Sequence, residues 1–141
     1  MEYFKFSELV RSDVAIKNNI NNYPKSVDVI TNLYNLIKFL NPMREAWGSP
    51  VLITSGYRCD QLNAILGGSL KSAHKIGFAV DMIPKNEKVT DLFNFFKDYL
   101  LTNNLEFDEL ILENNGKSVW VHFALYSIDG KQRKKILQLD L

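Results

Sequence analysis

Phe107-Asp108-Glu109-Leu110-Ile111-Leu112-Glu113-Asn114-Asn115-Gly116-Lys117-Ser118-Val119-Trp120-Val121-His122-Phe123-Ala124-Leu125-Tyr126 is the stretch that decides the fold. Two β-rich runs, Phe107 to Glu113 and Val119 to Tyr126, flank Asn114-Asn115-Gly116, a hairpin signal. A hairpin here makes the sheet antiparallel at this point. Alternation then puts Trp120 and His122 on one face and Val119, Val121 and Phe123 on the other, so one side is buried and His122 is presented on the opposite one.

Upstream, Val51 to Ser55 reads as a strand, and Phe78 to Ile83 as another, ended by Pro84. Leu62, Ile65 and Leu66 suggest a brief helix stopped by Gly67-Gly68. Thr90 is the expected cap of a helix burying Leu92, Phe96, Tyr99 and Leu100. Before these come a short helix with Ser7 as its cap, a polar turn from Asn18 to Pro24, and a long helix from near Ser26. The long helix would bury Val27, Ile30, Leu33, Tyr34, Ile37 and Leu40. Pro42 is expected to end or kink it, with a further turn through Trp47 and a stop at Gly48. Ile136 to Leu141 reads as a last edge strand. Helices first, then strands mixed with one helix, then strands favour an α+β fold with a mainly antiparallel sheet.

The length of 141 residues suggests a single domain, 1–141, large enough to bury a core without staples. Apolar content of 46% and charged content of 23% are ordinary for a globular chain. A net charge of +1 supplies no basic field for nucleic acid. The single cysteine, Cys59, cannot close an internal disulfide. No apolar run reaches about 18 residues, so no membrane span is expected. Met-Glu-Tyr-Phe-Lys-Phe-Ser lacks the basic and apolar regions of a signal peptide, so none is expected.

The two histidines, His74 and His122, carry the chemistry. His74 stands seven residues before Asp81, with Gly77 between them permitting a turn that could bring both to one cation. Two imidazoles and a carboxylate leave the fourth tetrahedral position of one zinc ion to water, which separates a catalytic site from a structural one. The alternative for each histidine is a hydrogen-bonded structural residue.

Six motifs occur in order: Ser55-Gly56-Tyr57-Arg58, Leu62-Asn63, Gly67-Gly68-Ser69, Ser72-Ala73-His74-Lys75-Ile76-Gly77-Phe78-Ala79-Val80-Asp81, Phe107 to Glu113, and Trp120-Val121-His122. Together they resemble the M15 family of zinc peptidases, most of all its small D-Ala-D-Ala carboxypeptidase-like branch common in bacteriophages. The resemblance covers nearly the whole chain. It implies an α+β domain whose antiparallel sheet carries the metal site, zinc as cofactor, and His74, Asp81 and His122 as its ligands. The implied partners are peptidoglycan stem peptides of the bacterial cell wall. The implied activity is a metallopeptidase, either a carboxypeptidase or an endolysin-type endopeptidase. The expected setting is the host cytoplasm or a phage particle, with action on the wall after release.

In several family branches an acid two or three residues before the last His ligand serves as base. Here those positions are Val119 and Trp120. Glu113 is the first candidate for the base and Asp108 the second, with a solvated strand-end charge as the alternative for Glu113. The resemblance assigns Arg58 to a substrate carboxylate, which its planar fork suits. The alternative is an ion pair with Asp60 or another acid. Ser72 is expected to donate to substrate or to shape its loop. Asn63 is expected to hold the substrate loop or to cap its own turn. Lys131, Arg133, Lys134 and Lys135 form a basic run, read as a solvated face or an attraction to anionic wall polymer. Two other readings stand beside the enzyme: a binding module that keeps the metal cage without a base, and a structural zinc domain, which would need a fourth protein ligand such as Cys59. Oligomeric state is left open by the sequence.

Overall fold

The computed structural model describes residues 2–139. Five strands form one open sheet in the order β1-β2-β4-β3-β5. They are β1 (Val51–Ser55), β2 (Ala79–Pro84), β3 (Glu109–Asn114), β4 (Val119–Ala124) and β5 (Lys135–Gln138). β1 with β2, β2 with β4 and β3 with β4 pair antiparallel. β5 pairs with β3 in parallel, so the sheet is mixed rather than wholly antiparallel. The expected α+β class holds. The final strand begins one residue earlier than expected and stops at Gln138; residues 140 and 141 lie outside the described residues.

The β3–β4 hairpin closes as its Asn-Asn-Gly signal predicts. The Asn115 N–H donates to the Ser118 carbonyl, and Gly116 has φ +85°. The two faces of the sheet divide by side-chain parity. Val80 and Met82 of β2, Leu110 and Leu112 of β3, and Val121 and Phe123 of β4 are buried in the main core. Their alternates Asp81, Glu109, Ile111, Glu113, Trp120 and His122 all line a cleft on the other face.

The core face is covered by α3 (Val27–Trp47) and α5 (Val89–Thr102), joined by α1 (Phe6–Val10); α2 (Asp13–Lys17) and α4 (Asp60–Ile65) belong to a smaller cluster around Ala15, Ile20 and Leu62. Ser26 caps α3 by accepting from Val29 N–H, and Gly48 ends it in the left-handed conformation. Between them the helix runs on through Pro42. The residue expected to break it lies on the exposed side, where a missing N–H is tolerated. The buried stripe is Leu33, Leu36, Ile37, Leu40 and Met43. Val27 and Tyr34, expected in the core, are instead largely exposed, because the stripe advances around the helix toward Leu36 and Met43. α5 buries Leu92, Phe93, Phe96 and Leu100, with Tyr99 only partly covered.

Two expected caps shift. Lys5, not Ser7, precedes α1, and the Glu8 carboxylate accepts the Lys5 N–H at 3.0 Å. Lys88, not Thr90, precedes α5. Both hydroxyl residues lie within the first turn, where the backbone is already helical. Among the described residues no helix is long and apolar enough to cross a membrane.

A candidate metal centre on the open face of the sheet

The cleft has a volume of about 500 Å³. Its floor comes from β2, β3 and β4, and its rim from the segment Leu66 to His74. Asp81 and His122 are register partners across β2 and β4, and Ile111 of β3 flanks His122 on its other side. His74 arrives from a single 3-10 turn, Ala73–Ile76. Ser72 caps that turn by accepting the His74 N–H at 3.2 Å. Gly77 ends it with φ +82°, and a Cβ there would stand 2.9 Å from the Val29 carbonyl oxygen. Only glycine meets both demands, so the chain can leave the turn and enter β2 with Asp81 facing His74.

The geometry suits a metal. Nε2 of His74 is 3.3 Å from Oδ1 of Asp81, and Nδ1 of His122 is 3.1 Å from the same oxygen. Ligand bonds of about 2.0–2.1 Å at a tetrahedral zinc give ligand–ligand edges of about 3.3 Å. One potential ligand atom from each of the three residues lies within 4.8 Å of the others, so this group could hold a metal ion. The donor set, two imidazole nitrogens and one carboxylate oxygen, is one that zinc accepts. The other nitrogen of His74, Nδ1, is 2.8 Å from the Gly56 carbonyl, which sets Nε2 as the lone-pair side. A Cβ on Gly56 would fall 2.2 Å from the Leu9 carbonyl oxygen, so the close crossing of these two segments requires glycine.

Without a metal the three groups are an ion cluster. Burial would raise the Asp81 carboxyl, but the imidazoles of His74 and His122 outweigh it and hold it well below the usual carboxylate range. Burial lowers the His74 imidazolium, and the Asp81 charge only partly offsets that. Burial would also lower His122, but hydrogen bonds to Asp81 and Glu109 prevail and push it up to about 10. The proton on His122 thus supplies the positive charge that a cation would bring to Asp81.

Arg58 lies against this cluster. Its Nη2 is 3.2 Å from Asp81 Oδ2, and its Nε donates to Ser55 Oγ at 3.0 Å. The alternative reading, an ion pair with Asp60 or another acid, is thus met by Asp81, whereas Asp60 pairs with Lys75 at 3.0 Å. Buried Asn22 braces the Arg58 segment, donating to the Val10 and Tyr57 carbonyls and accepting from Cys59 N–H. Its sequence setting, a polar turn, gave no sign of that role.

Ser72 lines the cleft, whereas Asn63 does not. Asn63 donates to the Ser69 carbonyl at 2.9 Å and so ties down the rim behind it. Glu113 lines the cleft opposite Trp120 in the β3–β4 register. Burial raises its carboxyl above the ordinary value, helped by the charges of Asp81 and Glu109 and opposed by His122 and Arg58.

Asp108 also lines the cleft but is fully buried. Arg133 grips both its oxygens, Nε to Oδ1 at 2.8 Å and Nη2 to Oδ2 at 2.9 Å. The basic run is matched by acids: Lys131 with Asp129, Lys134 with Glu106, and Arg133 and Lys135 with Glu109. Glu109, not singled out from the sequence, contacts His122 at 3.4 Å. Its spacing of four from Glu113 on one strand, which places both on one face, was the available signal.

No curated protein matches the chain. Residues 2–122 match the family described as peptidase M15, whose members are zinc-dependent peptidases acting on cell-wall peptides. The match runs through His74 and Asp81 and ends on His122, and the chain belongs to the peptidase M15 family.

Proposed function

We propose that this chain hydrolyses peptide bonds in peptidoglycan stem peptides, with one zinc ion held by His74, Asp81 and His122. The observation that carries the reading is the pair of contacts at 3.3 and 3.1 Å that place His74 and His122 on one oxygen of Asp81, at the edge length of a zinc tetrahedron. Zinc in such a set lowers the pKa of bound water and polarises a carbonyl.

Glu113 is the base. It is half-buried in the same cleft, and its raised carboxyl is suited to accept a proton from the attacking water and return it to the leaving amine. Asp108 is less suited, because the Arg133 fork occupies both its oxygens. Arg58 binds a substrate carboxylate beside the metal, and Ser72 donates from the rim. Such an enzyme fits a phage lysin or a particle-borne component that opens the wall.

The test is digestion of purified muropeptides by zinc-loaded protein, read by mass spectrometry with and without a chelator. Release of a single alanine identifies a carboxypeptidase. A larger stem fragment identifies an endopeptidase. Bound zinc with no product would instead favour a peptide-binding module.

A further inference from the structure

Both ring nitrogens of His122 face carboxylates. Nδ1 is 3.1 Å from Asp81 Oδ1, and Nε2 is 3.4 Å from Glu109 Oε1. Only Nδ1 shares an oxygen with Nε2 of His74, so the geometry assigns Nδ1 as the ligand atom that His122 offers. A neutral imidazole that gives one lone pair to a metal carries its proton on the other nitrogen. That proton then sits at Nε2, in a ring that is almost wholly buried, where a donor without an acceptor is costly. Glu109 is the acceptor within reach.

Glu109 is itself held. Its Oε2 lies 3.6 Å from Arg133 Nη2 and 3.9 Å from Lys135 Nζ. Arg133 in turn is fixed by its two contacts to buried Asp108. The chain runs Asp108 to Arg133 to Glu109 to His122. Arg133 and Lys135 come from the segment beyond the family match, which ends at His122. His74 has the matching device in the Gly56 carbonyl at its Nδ1.

We propose that Glu109 is a positioning residue of the metal centre: it accepts the Nε2–H of His122 and turns the Nδ1 lone pair toward Asp81, while the Asp108–Arg133 pair holds Glu109 in place. This rests on the ligand set proposed above. Glu109 acts behind the ring rather than on the reacting water, and this separates its role from that of Glu113.

Zinc affinity, measured by chelator competition at fixed pH, and histidine nitrogen chemical shifts of the zinc-loaded full chain test this together. Glu109→Ala should weaken zinc by about 10–100-fold, the usual effect of losing such a partner. Glu109→Gln, whose amide oxygen still accepts a hydrogen bond from the Nε2–H, should remain close to the wild-type value. His122 in the wild type should be metallated at Nδ1 and protonated at Nε2. Wild-type affinity in Glu109→Ala, no rescue by Gln, or metallation at Nε2 each overturns the inference while leaving the ligand set intact. Should Glu109→Ala not fold, the wild-type ring shifts decide alone. No zinc uptake by the wild type overturns the ligand set and the inference with it.

Discussion

His122 stands directly across the β2–β4 ladder from Asp81, with Nδ1 of the one 3.1 Å from Oδ1 of the other. In the metal-free protein burial lowers His122, but this contact and the one to Glu109 prevail and make it a strong base, pushed up to about 10. Zinc must displace that proton. Below about pH 10 the logarithm of zinc affinity should therefore rise by about one per pH unit from this residue. An ordinary histidine site would level off above about pH 6.5. Chelator competition across about pH 6 to 9 checks it; a flat profile above neutrality would contradict the paired state of His122.

The same pair makes the stability of the metal-free protein depend on pH. The folded value of His122, about 10, is above the 6.5 of an unperturbed histidine. Its stabilisation is thus full below about 6.5 and lost as pH rises through about 10. Asp81 and His74, both lowered, act in the opposite sense and lose stability as pH falls. Melting curves of chelator-treated protein should fall steadily from pH 7 to about 10. His122→Gln should flatten that decline, because the group that titrates is gone.

Glu113→Gln should reduce kcat by about 10²–10⁴-fold with zinc affinity nearly unchanged, since Glu113 is a cleft neighbour of the metal group rather than a member of it. Because burial raises the carboxyl of Glu113, the acid limb of the wild-type rate profile should lie above the ordinary carboxylate range. The base must be ionised, so the rate falls as pH drops through that value. A variant with unchanged kcat would remove Glu113 from the base role.

Several of these features were legible in the sequence, for local reasons. Asn115-Gly116 fixed a turn, alternation fixed the faces of β4, and Gly77 marked the bend that joins His74 to Asp81. What escaped depends on long-range register. The β3–β4 pairing opposes Ile111 to His122 and so sets Glu109 and Glu113 to either side of it, and the side-chain contact at 3.4 Å then singles out Glu109. Asp108 looks like a free acid until Arg133, twenty-five positions on, folds back onto it. Pro42 looks like a helix stop until the packing of Leu40 and Met43 on either side keeps the helix whole.

Gly56→Ala tests how the fold holds His74. The new Cβ would meet the Leu9 carbonyl oxygen at 2.2 Å, and that oxygen already accepts the Tyr57 N–H at 2.6 Å. Backbone on both sides must move apart, and the Gly56 carbonyl that receives His74 Nδ1 moves with it. We expect a loss of about 1–3 kcal/mol, as for other overpacked sites. Zinc affinity should fall as well, because the tautomer of His74 is no longer enforced. Thermal melts of chelated and zinc-loaded protein separate the two effects. A strained crossing alone would lower both melting temperatures equally; a disturbed ligand would also narrow the gap between them.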